Sequence, residues 1–126
     1  MTPRALLTQL SAGRIAIGAV LIVKPELVTA GWLGRQGRKP AVKVLARGFG
    51  ARDAALGAGT LATLRSGGST RTWVLAGLLA DTADLLATHG SREQLPSGSA
   101  PLIYALAGGA LLIGAANLAD SPATQA

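Results

Sequence analysis

The chain contains no cysteine, which removes disulfides, thiolate metal sites, iron–sulfur clusters and cysteine nucleophiles together. It has one histidine, too few for a zinc site of the usual kind, and no other pattern calls for a metal or cofactor. Aromatic residues make up only 3%, so the twelve Lys and Arg side chains have no stacking platform beside them. Those cations are spread along apolar segments, and nucleic acid is therefore not an expected partner. Acidic residues number six, and in residues 1–71 only Glu26 and Asp53 stand against eleven Lys and Arg. Anionic lipid headgroups explain that asymmetry better. No serine sits in a nucleophile-elbow pattern. The pairs Gly48/Gly50 and Gly57/Gly59 lack the preceding strand and the lysine of a phosphate loop.

Apolar residues are plentiful: 49% of the 126 residues, with 14% charged and a mean hydropathy of +0.41. That composition points to a membrane protein with one domain. Alanine and glycine make up a third of the chain (25 and 17 residues), which suits helices in close contact through small residues. The expected fold class is all-α: an integral membrane four-helix bundle of up-down topology, with a short interfacial helix after the first span.

Residues 4–23 are long enough for one bilayer crossing, interrupted by Arg14. A competing reading makes Arg4 and Arg14 the basic start of a signal peptide, Ile15 to Val23 its apolar core and Val28-Thr29-Ala30 its cleavage site. Lys24-Pro25-Glu26 ends the segment. Leu27 to Leu33 reads as a surface-lying turn of helix with Trp32 at headgroup level, and residues 34–39 as a basic loop. A helical pattern restarts at Pro40, with a span at 43–64 on which Gly50, Ala54, Gly57 and Leu61 share one close-packing face. Ser66 to Ser69 is a turn short enough to make its flanking helices antiparallel neighbours. The third span, 72–89, starts at the interface anchor Trp73 and carries Gly77, Asp81, Asp84 and Thr88 on one stripe. The fourth, 100–119, is uncharged and passes the strict test for a membrane helix by itself. Residues 1–120 form the domain, and 121–126 are expected to be a disordered tail.

The charges inside these spans converge. Arg52 lies sixteen residues before Gly68 and Asp84 sixteen after it, so in antiparallel helices they should be level, roughly 20 Å from the turn. Arg14 is ten residues from Arg4, and Asp81 ten from Arg71, which puts this second pair at a shared depth. Counting also sets Arg47 level with His89, near the opposite surface. An ionised side chain at the bilayer centre costs about 2.5–3.5 kcal/mol on insertion scales, so Arg14, Arg52, Asp53, Asp81 and Asp84 have to pair. Two arginines meet three carboxylates, which suits either a polar lock that fixes helix register or a ligand site made of Arg14, Arg47, Arg52, Asp53, Asp81 and Asp84. His89 reads as a helix-end cation, Asn117 as an interface group, and Tyr104 as an interface anchor or a donor into the cavity.

Arg14 with Gly18, Pro25, the run Arg47, Gly48, Gly50, Arg52-Asp53, Leu56-Gly57, then Trp73, Asp81 and Asp84 resemble a group of small uncharacterised integral membrane proteins of high-GC actinobacteria, broadly similar to the DoxX-like four-helix proteins. The resemblance spans about two-thirds of the chain. It implies a four-helix membrane protein and supplies no activity, and the chain lacks the cysteines a redox-linked relative would use.

The leading expectation is a multi-pass cell-membrane protein whose partners are the lipid bilayer and a lipophilic small molecule, or further copies or other subunits of a membrane complex. One alternative is a membrane enzyme doing acid/base chemistry (isomerisation, epoxide opening or cyclisation), with Asp81, Asp84 and Asp53 as acid and base and Arg52 orienting them. Another is proton or small-ion transport by an oligomer. The basic residues between 24 and 43 favour a cytoplasmic loop there, with both termini outside.

Overall fold

Thr2 opens the first helix by accepting a hydrogen bond from Ala5 N, and Pro3 takes the first helical position, where a missing N–H is harmless. The computed structural model describes residues 1–121, which form five helices: α1 (Pro3–Val23), α2 (Glu26–Leu33), α3 (Pro40–Ser66), α4 (Arg71–Gly90) and α5 (Ser99–Asp120). There is no strand among the described residues, so the chain is all-α. Apart from Ser121, the tail expected at 121–126 lies outside the described residues. Helices α1 and α5 are each long and apolar enough to cross a membrane, yet only 22% of either apolar window is buried. The core helix of a soluble protein would be mostly covered; these two present their apolar side chains outward.

The 34–39 segment is not the open basic loop its composition suggests. Gly34–Arg38 forms a 3-10 turn folded back on α2, where Thr29 Oγ1 donates to Gly37 O (2.7 Å). A Cβ on Gly37 would lie 2.2 Å from Thr29 O, so only glycine permits the approach. Glu26, in the first turn of α2, is held below its ordinary pKa chiefly by a backbone hydrogen bond, opposed by desolvation and aided by Lys43, Lys24 and Arg47. At the far end of α3, Gly67 takes the left-handed conformation (φ +73°) and Gly68 N donates to Thr63 O (3.1 Å), a glycine stop of the usual kind.

Leu7 near the start of α1, Leu64 near the end of α3 and Val74 near the start of α4 form a buried cluster, joined by Ile113 and Leu118 from the end of α5. Successive long helices therefore alternate in direction. Asn117 Nδ2 donates to Pro3 O (2.8 Å) and Arg4 Nη2 to Leu64 O (2.7 Å), tying the helix ends at this pole. At the other pole Arg47 Nε donates to Ile22 O (3.0 Å). Each of these arginines thus answers an end-of-helix carbonyl of the partner in the antiparallel α1–α3 pair.

The closest helix pairs are α1 with α3 and α4 with α5, whereas α3 and α4, despite the short turn between them, touch less. The Trp73 indole accounts for part of that spacing, since a Cβ on Gly59 would lie 2.4 Å from Trp73 Cζ2. Trp73 is thus a packing residue between helices that stays partly exposed. The small-residue face of α3 meets α1: a Cβ on Gly50 would lie 2.6 Å from Gly18 O, and one on Gly57 2.4 Å from Ser11 O. Both obstacles are backbone and cannot move aside.

Gly57→Val should therefore force α1 from α3 and destabilise the protein by about 3 kcal/mol or more, at or beyond the usual cost of overpacking. Gly48, whose Cβ position is open, should accept alanine with a gain of up to ~1 kcal/mol from helix propensity. Thermal unfolding followed by circular dichroism in mild detergent checks both, and equal melting of Gly57→Val and the parent protein would contradict the α1–α3 contact.

Candidate functional site

Three of the four long helices deliver charged side chains to one level. Arg14 comes from the middle of α1, Arg52 and Asp53 from the middle of α3, and Asp81 and Asp84 from α4 on positions three apart, hence on one face. The Arg14 Nη2 donates to Asp81 Oδ2, and its Nη1 reaches Asp53 Oδ1 at 3.5 Å. Arg52 grips Asp84 with both ends of its guanidinium, Nη1 to Oδ1 at 3.1 Å and Nη2 to Oδ2 at 2.7 Å. Its Nε and Nη2 also donate to Asp53 Oδ1 at 3.3 and 3.2 Å. Asp53 Oδ1 is therefore shared between the two arginines, while Asp81 and Asp84 each have an arginine of their own. The bidentate Arg52–Asp84 geometry is the stronger and more directional form of such a pair.

Depth differs across the cluster. The Arg14 and Asp81 side chains are 11% and 8% exposed, those of Arg52 and Asp84 29% and 21%. Helices α1 and α4 lie on a diagonal, and their backbones do not meet. A long guanidinium is what closes that gap. Gly77 on α4 lies beside the guanidinium, where even an added Cβ would make an ordinary contact with Arg14 Nη2 at 3.4 Å. Below the pair, a void of about 20 Å³ lined by Ser11, Thr60 and Gly77 has room for one water. Cleavage after Ala30, as in the signal-peptide reading, would remove Arg14 and leave Asp81 buried without its cation.

Above the cluster opens a cleft of about 550 Å³ to which all five helices contribute. Its walls are Leu10, Ile17 and Leu21 of α1 and Leu102, Ile103 and Leu106 of α5, with Trp32 of α2 at one side; its floor is Arg14, Arg52, Asp53, Asp81 and Asp84. Two carboxylate oxygens on that floor, Asp53 Oδ2 and Asp81 Oδ1, have no hydrogen-bond partner among the described residues, and neither is sealed from contact. Phe49, one turn before Arg52, puts its ring 5.1 Å beneath the guanidinium carbon and 6.4 Å from the Trp32 ring. The Trp32 indole N–H is buried without a partner among the described residues.

Five of the six expected site residues therefore come together, and Arg47 does not. It is exposed and spent on the Ile22 carbonyl, away from the cleft. Its position along α3 sets its height near the far pole, as counted, but height does not say which way the side chain turns. Its expected counterpart His89 behaves differently too: its Nδ1 meets the Tyr104 hydroxyl, joining α4 to α5, and the carbonyl of His89 is taken by Arg92 Nη1 (2.8 Å). Phe49 and Trp32 are the lining residues that sequence reasoning missed. Spacing could have found Phe49, three residues from Arg52 on one helical face. Trp32 reads as a lipid anchor until α2 is seen to fold over the bundle, held there by Ser99 Oγ donating to Trp32 O.

Removing one partner tests the pairing. Arg52→Ala should cost ~3 kcal/mol, the low end for a buried pair stripped of one charge, because the pair is partly exposed. The exchange Arg52→Asp with Asp84→Arg should recover only part of that loss, since it sets a new carboxylate directly beside that of Asp53. Adding Asp53→Asn to the exchange should recover most of the remainder. Melting temperatures of the three variants decide the matter, and a fully restored double exchange would mean that Asp53 is not part of the network.

No protein-family model, curated protein or solved structure matches the chain, and the chemistry of the site stands on its own geometry.

Proposed function

We propose that this chain is a multi-pass protein of the cell membrane, an up-down four-helix bundle, that holds a lipophilic molecule with its polar end on the Arg/Asp floor. The cleft carries this reading: about 550 Å³, within the range of small-molecule sites, apolar on its walls and polar only at its base. A cluster serving purely as a lock would have no need of an amphipathic space above it. The membrane setting draws on the outward apolar surface of every long helix, including Val44 and Leu45 of α3 (67% and 66% exposed), Leu79 of α4 (74%) and Leu112 of α5 (75%). It also agrees with the resemblance to DoxX-like four-helix proteins. The basic stretch from Lys24 to Lys43 would lie on the cytoplasmic side.

A second reading adds chemistry at the same floor. The free oxygens of Asp53 and Asp81 favour it, since a carboxylate with an unpaired oxygen facing a guest is placed to take or give a proton, with Arg52 holding Asp84 and Asp53 in position. Asp81→Asn would then abolish conversion of the guest, at a cost in stability because Arg14 loses its anionic partner.

Mass spectrometry of lipophiles co-purified from nanodiscs or native-lipid particles tests the receptacle. Gly13 lines the cleft, its Cβ position is open, and it makes no contact with another helix there. Gly13→Phe should consequently fill the space and lose the co-purified molecule while melting no lower than the parent chain. Identical lipophile content in both proteins would remove the cleft from consideration.

A further inference from the structure

The floor of the cleft is not electrically balanced. Arg14 has Asp81, Arg52 has Asp84, and Asp53 is left as a surplus carboxylate that leans one oxygen toward both guanidiniums at 3.2–3.5 Å. The other oxygen, Asp53 Oδ2, has no partner among the described residues, and the same holds for Oδ1 of Asp81, a side chain only 8% exposed. Both residues line the cleft. Counting formal charge, two cations face three anions, so the space presents one net negative charge at the base of apolar walls.

We infer that the guest is a lipophilic cation, an alkyl amine in its ammonium form, whose charged head sits against Asp53 and Asp81 while its hydrocarbon lies between α1 and α5. The inference rests on the reading of the cleft as a receptacle and narrows it to one chemical class. A carboxylate or phosphate head would add a second unpaired negative charge in a setting of low dielectric, where repulsion is strong. A hydroxyl would satisfy one free oxygen and leave the charge uncompensated. An ammonium does both tasks: it donates up to three hydrogen bonds to free carboxylate oxygens and brings the count to three against three. Trp32 is an aromatic side chain in the cleft lining, of the kind that attracts a cation, whereas the Phe49 ring is already covered by Arg52.

The reporter is built in. The chain has two tryptophans, so Trp73→Phe leaves Trp32, a cleft residue, as the sole indole. The full-length Trp73→Phe protein in phosphatidylcholine nanodiscs would be titrated with dodecylammonium, dodecanol and dodecanoate, following Trp32 emission. The same titrations on Trp73→Phe with Gly13→Phe subtract partitioning into lipid. Dodecylammonium should bind about tenfold more tightly than dodecanol, and dodecanoate most weakly, as expected for one charge-assisted contact. Asp53→Asn should erase the preference for the ammonium without lowering the melting temperature, because both arginine–aspartate pairs remain. Asp53→Glu, which keeps the charge, should retain the preference, and it preserves the comparison if the asparagine variant folds poorly. Equal or tighter binding of the alcohol or the carboxylate, or an undiminished ammonium preference in Asp53→Asn, overturns the cationic guest and leaves the receptacle standing. If none of the three ligands moves Trp32 emission beyond the Gly13→Phe control, the receptacle itself falls.

Discussion

Arg14 and Asp81 belong to helices whose backbones never meet, and the hydrogen bond between them spans the diagonal of the bundle. Much else follows from that one reach. A guanidinium deep among apolar helices is tolerable only where a carboxylate waits for it, and an aspartate as buried as Asp81 is tolerable only where a cation arrives. The pair thereby helps to set the relative height and rotation of α1 and α4, whose backbones do not approach and whose side chains gather in the Leu7–Leu64–Val74 cluster at one pole. The second pair, Arg52 with Asp84, repeats the constraint between α3 and α4, where Trp73 holds the backbones apart.

Around this polar centre the helices are held by two unlike devices. Between α1 and α3 the contact is backbone on backbone, with Gly18, Gly50 and Gly57 allowing carbonyls within reach of Cα atoms, and Arg4 and Arg47 bonding to carbonyls at opposite ends. Between α1 and α5 contact is sparser, and that is where the cleft opens. The short α2 and its 3-10 turn cover one side of it, fastened by Thr29 to Gly37 and by Ser99 to the carbonyl of Trp32. In the proposed membrane setting this arrangement separates a rigid half, whose glycine contacts do not yield, from a half in which side chains alone define the space. An apolar guest would meet the second half without disturbing the first.

Much of this was legible from residue order. A proline before Glu26, a glycine pair after Ser66 and an uncharged run ending at Ala119 place the helix boundaries within a few residues, because each is a local property of the backbone. The pairing of Arg52 with Asp84 was legible as well, since equal counts from one turn put them level whenever the flanking helices run antiparallel. Arg47 shows the limit of the same arithmetic: its height is set by the helix, but its side chain turns to a free carbonyl of α1 that no count along α3 could reveal. The basic turn at Gly34–Arg38 shows another, for its folding back on α2 depends on Thr29 and on an atom-level fit at Gly37.

What the amino-acid order alone determined is therefore the helices, their directions, and the need for two arginines and three carboxyl groups to find one another, all consequences of local geometry and of the cost of unpaired charge in apolar surroundings. Tertiary structure decided what the third carboxylate does. Counting along the helices already sets Arg52 level with Asp84 and Arg14 level with Asp81, but it assigns Asp53 no partner. Only the rotation of α3 against α1 and α4 leaves Asp53, a residue that lines the cleft, bridging both arginines through one oxygen, with the other unpartnered among the described residues. That outcome depends on packing angles and side-chain reach, which no periodicity along a single helix encodes.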